Sequence, residues 1–356
     1  MGVLEREYLG MGTEVARFEQ ALGEYFSRPA VCVVNGTAAL HLALQAASLG
    51  PGDEVLVPSL TYVASFQAIS ATGARPVACD VLEDTLTLDW RDAERRLTPR
   101  TRAVMPVHYS GDAGALEEVY GFADEHRLRI VEDAAHAFGS TCKGRRLGAY
   151  GDIACFSFDG IKNITSGEGG CIVTDDELVL ARVRDARLLG VERDTEQRFR
   201  GARSWEFAVS AQGWRYHMSN IMAAIGIEQF NRLPQLIARR RQLASLYDSL
   251  LVGHPGVRPF LRDYGEVAPH IYVVRLADDV DRSALRDELL ALGIETGVHY
   301  QPNHDLAYYR HEPILPLPVT EQIYPRLLSL PLHPDLSDGD VEFVCQTLKE
   351  LIGRGR

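Results

Sequence analysis

Lys162 stands between an apolar run, Ala154-Cys155-Phe156-Ser157-Phe158, and a glycine-rich stretch, Gly167-Glu168-Gly169-Gly170. An ε-amine held at a strand-to-turn junction among apolar neighbours gives up its proton more readily than one in water. A free amine can form an imine with an aldehyde such as pyridoxal 5′-phosphate (PLP). The same placement suits an ordinary exposed lysine following a strand. The choice between these turns on what else the chain offers.

In Val131-Glu132-Asp133-Ala134-Ala135-His136 an acid follows a hydrophobic strand directly. A buried carboxylate is costly unless paired. A pyridinium nitrogen would be such a partner, and keeping that nitrogen protonated is what makes PLP a good electron sink. His136, three residues on, has the reach to hold the phenolic oxygen of the ring. The alternative is an N-cap aspartate with an incidental histidine. Asn35-Gly36-Thr37-Ala38-Ala39-Leu40 also follows an apolar run and opens a helical pattern. Free N–H groups at a helix start attract a phosphate, although a plain N-cap reads the same way. Neither a dinucleotide fingerprint nor a P-loop is present, since Gly-x-Gly-x-x-Gly and Gly-Lys-Ser/Thr are both missing. Tyr62, just past another apolar run, could stack on a flat ring or fill core. Ser157 could donate to a phosphate.

Short β-rich runs must position these residues. They span 30–34, 54–58, 75–79, 102–107, 128–131, 153–158 and 170–173, with helical patterns over 38–49, 63–72 and 115–126. This alternation predicts an α/β fold with a mostly parallel sheet sandwiched by helices. In such sheets ligands gather at the carboxyl ends of strands, where the residues above fall. Helices follow at 176–189, 219–233 (N-cap Ser219 or Asn220) and 236–251. Beyond Gly253 a smaller α+β pattern restarts, with strands near 271–276 and 295–299 and helices near 282–292 and 338–352. The expected division is a large domain over 1–235 and a smaller C-terminal domain over 236–356.

A net charge of −12 argues against nucleic acid as a partner. Cys32, Cys79, Cys142, Cys155, Cys171 and Cys345 form no Cys-x-x-Cys pair and read as small buried hydrophobes in a reducing compartment, with no metal site expected. Without a signal sequence or an apolar run of spanning length, the expected location is the cytoplasm, away from membranes.

Taken in order, these motifs resemble the DegT/DnrJ/EryC1/StrS family of PLP-dependent sugar aminotransferases, of aspartate aminotransferase fold-type I. The markers are Tyr8-Leu9-Gly10-Met11-Gly12, Asn35 to Leu40, Gly50-Pro51-Gly52-Asp53-Glu54-Val55, Glu132 to His136, Gly151-Asp152, the lysine segment through Gly170, Ala223-Ala224-Ile225-Gly226 and Val298-His299-Tyr300-Gln301-Pro302. The resemblance implies that Lys162 is the Schiff-base lysine and that Asp133 pairs with the pyridine nitrogen. It places His136 near the ring oxygen, Tyr62 on the ring face, and Gly36, Thr37, Ala38 and Ser157 around the phosphate. It implies a homodimer with shared active sites. Gly213-Trp214-Arg215-Tyr216-His217-Met218 resembles the family's Gly-Tyr-Asn-Tyr-Arg-Met run, whose third residue reaches the partner's cofactor phosphate. Here that residue is Arg215, chemically well suited to phosphate. His299, Tyr300 and His304 resemble the family's His-Tyr-x-Pro-x-His segment, which leaves sugar-nucleotide contact and domain packing both open. Trp214 either meets substrate or fills the dimer interface.

The implied reaction moves an amino group from L-glutamate to a keto sugar on a nucleotide, with pyridoxamine 5′-phosphate as the intermediate cofactor form. The wording Asn163 to Gly170 resembles members that aminate C4, so a nucleoside-diphosphate 4-keto-6-deoxy sugar is the first expectation. C3 amination, a keto-inositol acceptor and a non-catalytic PLP-binding regulator are the alternatives. A nicotinamide-dependent dehydrogenase is disfavoured by the absent glycine fingerprint.

Overall fold

A computed structural model describes residues 2–5, 8–201, 206–310 and 315–354. Its strands in chain order are β1 (Ala30–Val33), β2 (Glu54–Pro58), β3 (Arg75–Cys79), β4 (Thr101–Val104), β5 (Arg129–Asp133), the short hairpin β6 (Thr141–Cys142) and β7 (Arg145–Arg146), β8 (Ile153–Ser157) and β9 (Gly170–Thr174). Seven of them form one sheet in the order β1-β9-β8-β5-β4-β2-β3. β2, β3, β4, β5 and β8 run parallel, while β9 is antiparallel to both β8 and β1. β1 therefore points the same way as the parallel strands, and their carboxyl ends share one edge.

The strands form because their apolar runs are buried on both faces. Every residue of β1, β2, β8 and β9 is buried. Alternate side chains leave opposite faces. Val31, Val33, Ile153 and Cys155 pack with the helices Gly36–Ala46, Val63–Ala71 and Glu177–Ala186. Ala30, Cys32, Ala154 and Phe156 pack with Thr13–Phe26 and, through Ala223, with Asn220–Asn231. Ser219 caps the last of these helices, its side chain accepting from the Met222 N–H. The six cysteines are free; five are buried, and Cys142 is half-buried.

Strands β10 (Val257–Pro259), β11 (Tyr272–Leu276) and β12 (Leu327–Leu330) form a second, antiparallel sheet. Its core includes Leu243, Tyr247, Val274, Leu289, Leu328 and Leu348. The helix Leu233–Leu251 joins both cores: Leu233 and Ile237 pack with the large-sheet residues, Leu243 to Leu251 with the small sheet.

One sequence expectation fails here. Residues 295–299 are not a strand; only Gly297 bridges, to Ser329. The His299 Nδ1 lies 2.7 Å from Ser329 Oγ, and His299 and Tyr300 then enter a cavity of the large sheet instead of extending the ladder. No described helix is long and apolar enough to cross a membrane.

Candidate active site

The carboxyl ends of β1, β2, β5 and β8 open on a cavity of about 380 Å³. Gly36, Thr37, Tyr62, Asp133, His136, Ser157, Lys162, His299 and Tyr300 all line it. Nine residues chosen for their chemistry thus come from five separate chain segments to one place.

Lys162 is presented by a tight turn, its N–H donating to the Asp159 carbonyl at 3.0 Å. The next residue fixes that turn: Asn163 Nδ2 donates to the carbonyls of Phe138 (3.0 Å) and Ala268 (3.1 Å). Phe158 closes the loop behind it, donating to Gly169 and accepting from Ser166. Burial lowers the Lys162 pKa to about 8, against the opposing pull of the Asp133 and Asp159 carboxylates. About a tenth of the amine is then neutral at pH 7, about 300-fold more than for an unshifted lysine. The other two lysines in the chain, Lys143 and Lys349, do not line the cavity, one being paired with Glu117 on the surface and the other on the helix Asp338–Arg354.

Asp133 ends β5. Ser65 Oγ donates to its Oδ2 at 2.6 Å, and the Ala135 N–H donates to its Oδ1 at 3.2 Å. Ser65 Oγ is also 2.9 Å from Thr61 Oγ1. This small buried relay orients the carboxylate, which makes no salt bridge among the described residues. His136 accepts the Ser110 N–H at Nδ1 (3.3 Å), which leaves the proton on Nε2, 3.0 Å from Tyr300 Oη. Burial, then the charge of Lys162, hold His136 well below its ordinary pKa, so it is a neutral donor. Burial also lowers His299 to about 4 and raises the Tyr300 phenol well above its usual value. The charged groups facing the cavity are therefore Lys162 and carboxylates.

At the other end, Asn35 caps the helix Gly36–Ala46 by accepting the Ala38 N–H at 2.8 Å. The Ala38 N–H is thereby occupied, and Ala38 lies outside this cavity; the start of the helix offers the Gly36 and Thr37 N–H groups instead. A Cβ on Gly36 would lie 2.8 Å from the Ser157 Cβ, so only glycine lets the helix start meet the end of β8. The half-exposed Tyr62 ring faces Tyr300 across the cavity with centroids 5.4 Å apart. The donor set fits PLP: backbone and hydroxyl donors for a phosphate, a neutral imidazole donor for a phenolic oxygen, a carboxylate for a ring nitrogen, a depressed amine for an aldehyde.

Besides Ala38, three expected residues lie elsewhere. His304 is buried with Nδ1 2.7 Å from Ser59 Oγ, a packing contact between the segment after Pro302 and the end of β2. Trp214 stacks on Tyr216 and donates from Nε1 to Gln45 Oε1 at 2.8 Å. Arg215 is exposed on the surface of the single chain. Two residues at the site were not singled out from the sequence. Ser65 had a legible signal, a hydroxyl three residues after Tyr62 in the same helical pattern. His270, whose Nε2 is 3.3 Å from Lys162 Nζ, had none.

The model of the DegT/DnrJ/EryC1/StrS aminotransferase family matches residues 1–349. The spore coat polysaccharide biosynthesis protein SpsC of Bacillus subtilis is 37% identical over 98% of this chain and 92% of its own. The S. venezuelae protein DesV, solved in complex with a ketimine intermediate, superposes with a TM-score of 0.89 at 36% identity, covering 98% of this chain and 92% of its own. DesI, solved in the presence of its TDP-sugar product, superposes with a TM-score of 0.89 at 33% identity, covering 99% and 88%.

Proposed function

The chain belongs to the DegT/DnrJ/EryC1/StrS aminotransferase family, and we propose that it carries PLP on Lys162 and moves an amino group from L-glutamate to C4 of a nucleoside-diphosphate 4-keto-6-deoxy sugar. It is a PLP-dependent sugar aminotransferase. The observation that carries the site assignment is the convergence of Lys162, Asp133, His136 and the Gly36–Thr37 helix start on one cavity. PLP, when bound, supplies the electron sink that makes an amino acid Cα–H acidic.

The protein's own residues do the rest. The Gly36 and Thr37 N–H groups and the Ser157 hydroxyl hold the phosphate. The Asp133 carboxylate, oriented by Ser65 and Ala135, keeps the ring nitrogen protonated. The His136 Nε2–H donates to the phenolic oxygen, and Tyr62 covers a ring face. Lys162 Nζ, once freed by the amino donor, takes the proton from the donor's Cα and hands it on; its depressed pKa suits it to both acts near neutral pH. In the second half-reaction the same amine works in reverse on the keto sugar. Arg215, exposed on one chain, completes the phosphate site of a partner copy, so each dimer holds two shared sites. The division near residue 235 belongs to the same reading, with the helix Leu233–Leu251 as connector.

The C4 position rests on the Asn163 to Gly170 wording. The test is incubation of holoenzyme with ¹⁵N-glutamate and a panel of 4-keto and 3-keto nucleotide sugars together with a keto-inositol. The expected result is 2-oxoglutarate release with ¹⁵N at C4 of a nucleotide sugar. Label at C3, or turnover of the keto-inositol alone, overturns the acceptor assignment.

A further inference from the structure

His270 lies behind the cavity wall, buried, in the loop before β11. Its Nε2 is the atom within hydrogen-bond distance of Lys162 Nζ, at 3.3 Å. Its Nδ1 is buried and has no partner. Its ring packs on that of His136, with centroids 4.4 Å apart and planes tilted by 50°. Its carbonyl accepts from Arg240 NH1 at 3.0 Å, and the same nitrogen donates to the Leu332 carbonyl at 3.1 Å. Arg240 is itself buried, its Nε without a partner. A buried guanidinium and a buried half-satisfied imidazole are both unfavourable for folding alone. They are spent here on fixing one nitrogen beside one amine.

Lys162 as ammonium has no lone pair to accept with, so Nε2 then accepts and the ring proton sits on Nδ1. With its proton on Nδ1, Nε2 accepts a hydrogen bond from Lys162 whether the lysine is ammonium or free amine. No proton needs to leave the ring, and with Nδ1 unpartnered there is no route for one. Taking one N–H toward Nε2 turns the remaining valences of Nζ toward the cavity. Burial, reinforced by the charge of Lys162, holds His270 well below its ordinary pKa, so the ring remains an acceptor.

We propose that His270 is a positioning residue for the reacting amine: its Nε2 holds Lys162 Nζ in the interval when the lysine is not bound to cofactor. This rests on the reading of Lys162 as the reacting lysine. Its function is to keep the released amine from swinging away while it carries the proton.

The test uses cofactor-free protein, where the pairing is directly readable. The Lys162 amine is labelled competitively with acetic anhydride across pH 6–11, and its peptide is quantified by mass spectrometry. Exposed Lys143, held above its ordinary pKa by Glu117, is the internal standard. The titratable groups that share the cavity or contact Lys162 in this titration are Asp133, Asp159, Glu168, Tyr62, His136, His270, His299 and Tyr300. The parent should label with a midpoint near 8. His270→Leu removes the acceptor that favours ammonium, so its midpoint should fall by about one to two pH units. His270→Gln places an amide near the Nε2 position and should restore the midpoint to within about half a unit of the parent. Should the leucine variant not fold, His270→Asn, too short to reach Nζ, is read in its place with the same expected fall. In holoenzyme, kcat should drop roughly tenfold to 100-fold in the leucine variant with KM little changed, and recover in the glutamine variant. An unmoved midpoint in a folded variant lacking the acceptor overturns the proposal, as does a glutamine variant that shifts as far as leucine. Either result leaves the cofactor assignment to Lys162 standing, because that assignment fails only by loss of cofactor attachment there.

Discussion

Replacing Lys162 by alanine should reduce amino transfer by roughly 10⁴-fold or more, since it removes both the attachment point and the group that moves the proton. Turnover with glutamate and the preferred keto sugar measures this. The fold should survive: the turn is held by Asp159, Asn163 and Phe158 through contacts that do not involve the lysine side chain beyond Cα. Stability should move in a defined direction. Folding lowers the Lys162 pKa from its ordinary value near 10.5 to about 8, so the unfolded chain binds more protons between those values. Stability of the cofactor-free parent therefore rises with pH across 8 to 10.5. Below pH 8 the parent carries the full cost of holding the ammonium in the fold. The alanine variant lacks this term, so it should be the more stable below pH 8, with the gap narrowing above it. Denaturant midpoints at pH 7 and pH 10 check the sign. A variant that turned over at the parent rate would show that another residue performs the transfer.

Asp133→Asn should lower turnover by roughly 10³-fold, because a neutral amide no longer favours a protonated ring nitrogen. The structure also explains why this variant should fold. Asn Oδ1 still accepts the Ala135 N–H, and the new Nδ2–H₂ donates to Ser65 Oγ. Ser65 then donates to Thr61 Oγ1, 2.9 Å away, so the relay reverses direction and each of its acceptor oxygens keeps a donor. Steady-state kinetics beside a thermal melt separates the two effects. A large loss of stability at unchanged kcat per folded molecule would assign Asp133 a structural task instead.

The expected residues that meet at one cavity share a local signal. Asp133 and Ser157 end apolar strands and Thr37 lies just past one, and a parallel sheet brings such ends to one edge whatever the loops between them. Lys162 joins them for the same reason, one turn beyond the end of β8. What the sequence left unread depends on pairs far apart in the chain. Ser65 meets Asp133 across 68 residues and His270 meets Lys162 across 108; no local pattern encodes those distances, which the strand order β8-β5-β4-β2 and the docking of residues 268–271 create. His304 resembles a substrate contact in sequence, yet Ser59 at the end of β2 takes its ring. The Glu295–His299 stretch has a strand's composition. Its failure to form one comes from tertiary demand, because His299 and Tyr300 are drawn into the cavity of the large sheet. Ala38 shows a finer limit: the Asn35 cap that makes the helix start legible also consumes the N–H that Ala38 would have offered.

The chain contains only three lysines, Lys143, Lys162 and Lys349, which makes the central claim unusually direct to test. Holoenzyme is treated with borohydride to fix any imine, digested, and mapped by mass spectrometry for a pyridoxyl adduct. The adduct should lie on the peptide containing Lys162 and on neither of the other two. An adduct on Lys143 or Lys349, or none at all in protein that holds PLP, would contradict the account.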